Sequence, residues 1–413
     1  MTEDRPYELV LLGATGYTGT LTAEYIQEHC PTDLKWAIAG RNGKRLYEIA
    51  EELKKLNPDR IQPAVEVVEV KNPELTALAA KTKVLITTVG PYAKFGEPVV
   101  KACVDAGTHY LDVTGEIPFT YDMMQKYDAA AKAKGVCIVP HCGIDSVPSD
   151  MMAYLCAKAA REHCNVGIRD CVNSIQKISF KASGGTSHTA IGLVEAYPLR
   201  FLAASLRPTA LCPIPAPKVK PSTTGVLPSV LGWRHVKDLG LLTDSPSAGA
   251  DVGIVYRSWA LLDGGRYYGP NFSFTEYLRT PNVITGMLTH YLLGLALFAL
   301  YLRPFRWLLR RFAYVQGTGQ DRQEANKGRL VFKAVATADE PRKRRTFASF
   351  EYNGAGYYMT GITLVEAAMV LLRDGDVLGK RLAGMITTAT LGYGYVERLR
   401  KAGIKLEYGM LDP

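Results

Sequence analysis

Short apolar runs alternate with amphipathic segments through residues 7–140 of the chain. Runs such as ELVLLG, LKWAIAG and VLITTVG have the length and composition of buried strands. The intervening segments, such as GKRLYEIAEELKKLN, repeat apolar residues at helical spacing. Strands that alternate with helices in this way predict a parallel sheet covered on both faces. The expected fold class is therefore α/β, with a doubly wound parallel sheet of six strands that binds ligands beyond the strands' carboxyl ends.

The pattern changes after Asp150, where longer runs with alternating apolar and polar residues begin. The runs SIQKISFKAS, VGIVYRSWALL, GRLVFKAVATA and RTFASFEYNG are interpreted as strands, and the last two as a hairpin around DEPRKR. These strands predict an antiparallel sheet in a second, α+β domain. Such a sheet would carry a substrate face, a homodimer face or both.

One long apolar run, residues 283–302, contains no charged residue and has the length of a membrane span. RPFRWLLRR follows it and supplies arginines and Trp307, which are typical of a membrane interface. A simple span is not expected, because segments assigned to one enzyme lie on both sides of the run. Two interpretations remain: a buried helix that lines an apolar substrate tunnel, or a helix that dips into one leaflet with arginines at the headgroups. Both indicate a hydrophobic substrate.

Composition and charge narrow the classes of function. The net charge is +9, and RPFRWLLRR and RKRR account for most of the excess. No nucleic-acid-binding module accompanies these patches, so nucleic acid is not an expected partner. Eight cysteines without a C-x-x-C pair indicate reduced thiols. The polar start MTEDRPYE is neither a signal nor a transit peptide, which favours a cytoplasmic protein, with peripheral attachment to a membrane or a lipid droplet as the alternative.

A glycine-rich loop, LLGATGYTG, joins the first predicted strand to the first predicted helix. Its glycines are Gly13, Gly16 and Gly19, with the spacing G-x-x-G-x-x-G rather than the standard G-x-G-x-x-G. A glycine at a strand end permits a turn with positive φ, and a helix that starts there directs N–H groups and its positive dipole end at a pyrophosphate. In this position the loop predicts a dinucleotide site of the Rossmann type, with Thr15, Tyr17 and Thr18 between the glycines.

The end of the second predicted strand distinguishes NADP(H) from NAD(H). NAD sites usually place an acidic residue there, on the ribose 2′-hydroxyl. This chain instead has Arg41, with Lys44 close behind it. These basic residues could simply be solvated side chains at a helix start. Because a guanidinium suits a 2′-phosphate and the usual acidic residue is missing, the sequence favours a site for NADP(H).

Two later strand ends carry candidate chemistry. Gly90, Pro91 and Tyr92 follow the fourth strand, where the nicotinamide is expected. The sixth strand ends in VPHCGIDSVPSD, which contains Asp145 and Ser146. The hypothesis is that Tyr92 and Ser146 donate hydrogen bonds or a proton and that Asp145 orients them or relays the proton. No metal site is expected, because His and Cys in this segment lack partners at ligand spacing.

Several of these motifs occur in one known order. GATGYTG, AGR, VGPYAKFGEPVVKACVDAGTHYLDVTGE, PHCGIDSVPSD and SGGT resemble the saccharopine dehydrogenase-like oxidoreductases, most of all the branch that includes trans-acting enoyl reductases. The similarity is dense over residues 8–190 and returns near the C-terminus. It implies an NADP-binding Rossmann domain over 1–150, an inserted α+β substrate or dimerisation domain over 151–355, and C-terminal helices over 356–413 that return to the first domain.

The resemblance also implies site roles and an activity. It assigns Gly13, Gly16 and Gly19 to the pyrophosphate, Arg41 to the adenosine ribose, and residues 90–92 to the nicotinamide side. The implied activity is NADPH-dependent reduction of a hydrophobic unsaturated substrate, such as a polyketide or fatty-acyl enoyl group on a carrier, with a polyketide synthase as partner. The alternatives are a saccharopine-type C=N reductase and a lipid-surface protein that holds NADP(H) without turnover.

Overall fold

Two sheets of seven strands each form the frame of the molecule. The computed structural model describes residues 5–71, 73–179, 191–215, 217, 225–312, 321–374 and 382–411. Numbered along the chain, the strands of the first sheet are β1 (Tyr7–Leu12), β2 (Trp36–Gly40), β3 (Ala64–Val67), β4 (Thr82–Thr87), β5 (His109–Asp112), β6 (Cys137–Val139) and β13 (Gly384–Met385). Their order is β13-β6-β5-β4-β1-β2-β3, and all neighbours are parallel. The chain reverses direction across the sheet beside β1, where a doubly wound sheet opens its nucleotide crevice.

The strands of the first sheet are buried on both faces, as the sequence predicts. Leu9 and Leu11 contact one core, whereas Val10 and Leu12 contact the other. The covering helices are α1 (Tyr17–His29) and α2 (Gly43–Leu56) on one face, and α3 (Glu74–Ala80), α4 (Tyr92–Ala106) and α5 (Ile117–Lys134) on the other. The α/β doubly wound fold class is confirmed, and β13 adds a seventh strand to the predicted six.

The second sheet is mixed rather than antiparallel throughout. Its strands are β7 (Ile168–Ile178), β8 (Trp233–Val236), β9 (Gly240–Asp244), β10 (Phe274–Arg279), β11 (Arg329–Ala338), β12 (Arg345–Asn353) and β14 (Lys405–Met410). Their order is β14-β12-β11-β7-β10-β9-β8, and β11 and β12 form the predicted hairpin. The antiparallel prediction is wrong at one pair, because β7 and β10 run parallel. Parallel neighbours need a long crossover, and the chain between these two strands supplies one.

The remaining helices connect and cover the sheets. They are α6 (Ser146–Cys164), α7 (Leu199–Ser205), α8 (Val226–Leu231), α9 (Ala248–Leu261), α10 (Val283–Ala299), α11 (Arg303–Phe312), α12 (Arg322–Ala325), α13 (Gly356–Arg373) and α14 (Tyr393–Lys401), with a further helical stretch over 191–196. Helix α6 packs on β7, β11, β12 and β14, whereas α13 packs beside α1 on the first sheet. The segment over 356–413, expected to be helical, also adds β13 to the first sheet and β14 to the second.

The prediction that VGIVYRSWALL is a strand is wrong, because this run lies in helix α9. From Asp251 to Ala260 every residue except Val252 is buried, including the polar Asp251, Arg257 and Ser258. A helix that is buried all round shows no polar face in its sequence, so periodicity cannot distinguish it from a buried strand.

The apolar run over 283–302 forms α10 and the start of a bend. The prediction of a buried tunnel helix is wrong, because Gly286 is the only buried residue of α10. Among the described residues no single helix is long and apolar enough to cross a membrane, whereas α10 together with residues 303–309 passes that test as a pair bent by 108°. The interpretation that this run contacts one leaflet stays a prediction.

A fully buried arginine joins the second half of the chain to the edge of the first sheet. Arg257 Nε donates to the Met385 carbonyl at 3.0 Å, and its Nη1 donates to the Leu211 carbonyl. Asp128 Oδ1 lies 3.3 Å from the guanidinium and accepts the Met385 N–H at 2.7 Å. The Asp128 carboxylate therefore neutralises the buried charge and holds β13 in place.

We expect Asp128→Ala to lower the free energy of unfolding by about 3 kcal/mol, because the buried Arg257 charge would lose its partner. The matched control is Asp105→Ala, which removes an exposed ion pair to Lys101 and should cost less than about 1 kcal/mol. Urea denaturation of both variants measures the difference, and equal losses would contradict the role of the buried pair.

Candidate active site

The glycine loop between β1 and α1 is tightly packed. Gly13 has a φ of +93°, and its N–H donates to the Ala39 carbonyl at 2.8 Å. A Cβ at Gly19 would lie 2.1 Å from the Gly13 carbonyl oxygen, so only glycine lets α1 approach the loop this closely. Gly16 donates to the same carbonyl at 3.0 Å and directly precedes the helix. The three glycines thus form one compact turn at the carboxyl end of β1.

The start of α1 fits a pyrophosphate. No side chain caps this helix at Gly16, and its first turn contains no acidic residue. Its N–H groups and positive dipole end therefore remain available for an anion. Thr15 and Thr18 are half-buried beside the turn, and the Tyr17 ring packs edge-on against Tyr357 at 5.3 Å.

Of the basic residues after β2, some are exposed to solvent and one is paired within its own helix. Arg41 and Lys44 are exposed at the carboxyl end of the strand. Asn42 caps α2 by accepting the Arg45 N–H at 3.1 Å, and the Arg45 guanidinium pairs with two glutamates of its own helix. The prediction that Arg41 and Lys44 contact a 2′-phosphate is consistent with their exposure, whereas Arg45 is already paired.

Tyr92 lies where the sequence predicts, at the end of β4, but its hydroxyl points into the protein. It donates to the Thr87 carbonyl at 3.1 Å and accepts the Val113 N–H at 3.4 Å. Burial raises the pKa of the hydroxyl well above 10, with the Asp112 charge adding to the effect. The proposed role of Tyr92 as proton donor is therefore corrected, because its proton is already used and is held more tightly than usual.

The start of α4, beside Gly90 and Pro91, is closed by an acidic side chain that the sequence reasoning missed. Glu116 accepts the N–H of Tyr92 at 2.9 Å and that of Ala93 at 2.7 Å. A carboxylate at a helix N-terminus occupies the position that a phosphate would take. The start of α4 is therefore already occupied by a carboxylate, whereas the first turn of α1 contains no acidic residue.

Asp145 lies at the carboxyl end of β6, where α6 begins. Its side chain is accessible to solvent, does not cap the helix, and lies 3.6 Å from the position of a Cβ on Gly115 in the loop after β5. The surrounding protein desolvates the carboxyl and the charge of Glu276 lies near it, and together they raise the pKa of Asp145 to about 6. Asp145 is thus a solvent-exposed carboxyl group with a raised pKa at the carboxyl edge of the first sheet.

Ser146 is buried, and its hydroxyl points toward a buried carboxyl group. Its hydroxyl donates to Asp251 Oδ1 at 2.7 Å, so its role as a free donor to substrate is corrected. Burial, followed by the charges of Glu276 and Asp145, raises the pKa of Asp251 well above 3.8. Both effects disfavour the ionised form of Asp251, and its second oxygen is buried without a hydrogen-bond partner among the described residues.

Glu276 completes a cluster of three carboxyl groups with Asp145 and Asp251. Its oxygens accept hydrogen bonds from the side chains of Ser245 at 2.9 Å, Ser247 at 2.7 Å, Asn173 at 3.1 Å, and Ser149. Four donors on one buried group are the environment of a carboxylate. The sequence reasoning missed Glu276 and Asp251, whose only signal was a single acid within a mostly apolar run, TEYL or GADVGIV.

The strand ends around this cluster are tied together by further buried polar groups. Asp112 Oδ1 accepts the backbone N–H of Thr114 and that of His141, each at 3.0 Å. His141 Nε2 lies 2.7 Å from the Thr120 hydroxyl, and burial lowers the pKa of His141 to about 3. In the described part of the chain no three His, Cys, Asp or Glu residues come together as a metal site. The SGGT motif at 183–186 lies outside the described residues.

A doubly wound sheet with a glycine turn at β1 and exposed cations after β2 defines an NADP-dependent oxidoreductase. Residues 9–139 match the family described as the saccharopine dehydrogenase NADP binding domain. The chain is 30% identical to the trans-acting enoyl reductase of Mycobacterium tuberculosis (strain ATCC 25618 / H37Rv) over 97% of both proteins. It is 29% identical to that of Mycobacterium ulcerans over the same shares. The chain belongs to the saccharopine dehydrogenase-like family, together with these trans-acting enoyl reductases.

A solved structure has the same overall fold. Apo saccharopine dehydrogenase (L-Glu forming) from Saccharomyces cerevisiae matches 98% of this chain and 100% of its own, with a TM-score of 0.53 and 13% identity. The cofactor is NADP(H), as the sequence predicts.

We expect Arg41→Ala to raise the Kd for NADPH about tenfold and to leave the Kd for NADH unchanged, because a charge-assisted bond to the 2′-phosphate would be lost. Lys44→Ala should act in the same direction. Arg45→Ala is the matched control and should change neither constant, because Arg45 pairs with its own helix. Fluorescence titration measures both nucleotides, and an equal loss for NADH would contradict the assignment.

Proposed function

We propose that the protein reduces the C=C bond of a hydrophobic enoyl group held as a thioester, such as a polyketide or fatty-acyl intermediate on a carrier protein. The observation that carries the proposal is the match, over nearly the whole chain, to proteins named trans-acting enoyl reductases. A polyketide synthase that presents the acyl carrier is the proposed partner. The solvent-accessible Asp145 at the nicotinamide edge supports the chemistry, because a reduction of this kind needs a proton source.

When bound, NADPH supplies the hydride for this reduction. The β-carbon of the enoyl thioester accepts it, and the π electrons move to the α-carbon and the thioester oxygen. Asp145 then gives its proton to the α-carbon and regains one from solvent, so the product is a saturated acyl thioester. Desolvation of the carboxyl, with the negative charge of Glu276 adding to it, raises the pKa of Asp145 and so favours its protonated form. The Ser146 hydroxyl, next to Asp145 in sequence, donates to Asp251 and so fixes the start of α6 against α9.

The saccharopine-type C=N reductase is less well supported. Its substrate, an amino-acid semialdehyde joined to glutamate, carries several carboxylates. Here such a substrate would meet Asp145 with the charge of Glu276 near it, and like charges repel. An uncharged enoyl group avoids that repulsion.

The first experiment is NADPH oxidation with two substrate panels. We expect turnover with enoyl thioesters, faster for long acyl chains than for short ones, and none with imines of amino-acid semialdehydes. Turnover with imines alone would support the C=N reductase instead. Tight NADPH binding with no turnover on either panel would favour a lipid-surface protein that holds the nucleotide.

The pH dependence of kcat/KM tests the role of Asp145. A general acid must carry its proton, so the rate should fall as pH rises through about 6, the raised pKa of Asp145. Asp145→Asn should lower kcat about a hundredfold and remove this dependence. Glu276→Gln removes the charge that raises the Asp145 pKa and should therefore move the fall to lower pH.

Tyr92→Phe is the control for Asp145, because the Tyr92 hydroxyl is bound to the Thr87 carbonyl and should not take part in the chemistry. It should keep both kcat and the pH profile. A profile that stays the same in Asp145→Asn but changes in Tyr92→Phe would return the proton-donor role to Tyr92.

A further inference from the structure

Helices α10 and α11 carry an apolar surface that the described chain leaves uncovered. Ile284 is 78% exposed and Phe298 is 66% exposed. The large exposed apolar side chains of the two helices and their connection are Val283, Ile284, Leu288, Tyr291, Leu292, Leu295, Leu297, Phe298, Tyr301, Leu302, Trp307 and Leu308. A continuous apolar patch of this extent marks an interaction surface, because its exposure to water is unfavourable.

Helix α8 extends the same surface. Val226, Leu227 and Val230 are exposed. The Tyr291 hydroxyl donates to the Val230 carbonyl at 2.8 Å, which joins α8 to α10. We refer to α8, α10 and α11 together as the apolar face.

The first half of α10 is fixed to the edge of the second sheet. The Thr243 hydroxyl donates to the Gly286 carbonyl at 2.8 Å, and His290 Nδ1 lies 2.6 Å from Asp244 Oδ2. A Cβ at Gly286 would lie 3.3 Å from that of Trp233, so the helix approaches the strands closely. Beyond this contact, residues 291–302 have no charge and most of their apolar side chains are exposed.

The charged residues of the apolar face lie where lipid headgroups would meet them. Arg303 and Arg311 are exposed on α11, and Trp307 lies between them in sequence with 64% of its surface exposed. Arginine and tryptophan are the residues that favour the boundary between headgroups and acyl chains. Arg306 instead donates to the Leu300 carbonyl at 2.8 Å and pairs with Glu195, which holds the bend between the helices.

The topology excludes a crossing. Strands β10 and β11 flank the two helices in sequence and both belong to the second sheet, with β7 between them. The chain must therefore return to the side from which it left. With a 108° bend between the helices, the apolar segment can enter one leaflet and come back, with the arginines of α11 at the surface.

We infer that the apolar face docks the enzyme on an anionic phospholipid leaflet. The net charge of +9 and the exposed arginines complement an anionic surface, whereas a second copy of the same face would bring like charges together. The inference does not rest on the reaction proposed above, because it concerns residues outside the candidate active site.

Flotation of the full-length protein with liposomes tests the inference. We expect the protein to float with vesicles of phosphatidylcholine and phosphatidylglycerol, and to float less with phosphatidylcholine alone or at high salt. Leu292→Glu and Phe298→Glu should each lower the partition coefficient at least about tenfold. The matched controls are Leu56→Glu and Ile61→Glu, which change exposed apolar residues elsewhere and should float as the wild type does.

A second set of variants tests the charged residues of the apolar face. Arg303→Glu and Arg311→Glu should each reduce binding to the anionic vesicles about fivefold. The matched controls are Arg342→Glu and Lys343→Glu in the exposed turn between β11 and β12, which should have no effect. All variants should bind NADPH as the wild type does, which shows that the Rossmann domain is intact.

Four results would overturn the inference. The first is no flotation with any vesicle, and the second is equal flotation of Leu292→Glu, Phe298→Glu and the wild type. The third is a dimer in sedimentation that Phe298→Glu dissociates in the absence of lipid, which would make a second copy the occupant. Binding to a triacylglycerol emulsion but not to bilayers would likewise replace the proposed bilayer with a droplet surface.

Discussion

The burial of helix α6 is the constraint on which both halves of the molecule depend. Its first residues follow β6 at the carboxyl edge of the first sheet, while its body packs on four strands of the second. Asp150, buried within α6, accepts hydrogen bonds from Ser258 at 2.5 Å, Thr388 at 2.8 Å and the Ala389 N–H at 2.7 Å. These bonds fix the helix against α9 and the chain after β13. A side chain at the start of α6 is thereby held relative to both sheets at once.

The carboxyl cluster follows from this arrangement. Asp145 belongs to the first sheet's edge, whereas Asp251 and Glu276 come from α9 and β10 of the second half. Bringing three carboxyl groups together in a desolvated place is unfavourable unless protons or donors compensate. Here burial disfavours the ionised form of Asp251 and Glu276 accepts hydrogen bonds from four donors, whereas Asp145 is the member that solvent reaches. The site is therefore a product of the junction between the sheets and of neither sheet alone.

What the sequence could predict depends on how local each signal is. Gly13, Gly19 and Arg41 lie within single turns beside a strand, so their positions follow from the strand pattern. The sequence could not show that Asp251 and Glu276 lie near Asp145. More than a hundred residues separate each of them from Asp145, and no sequence pattern marks the proximity. Tyr92 was located correctly, but the direction of its hydroxyl depends on Thr87 and Val113. The sequences of α9 and α10 are both strongly apolar, yet most of α9 is buried and most of α10 is exposed. The sequence could not distinguish the two helices, because hydrophobicity alone does not identify what covers a helix.

The position of β13 and β14 has a consequence for synthesis on the ribosome. Residues 384–410 supply the edge strand beside β6 and the edge strand beside β12. Until these residues leave the exit tunnel, β6 and β12 of the nascent chain lack their outer partners, and the Arg257 charge lacks its contacts with Met385. The nine-residue β12 is then an exposed edge, and the shorter, six-residue β14 replaces it as the edge once it pairs. Long exposed edges pair readily with other chains, so β14 lowers the tendency of this sheet to aggregate.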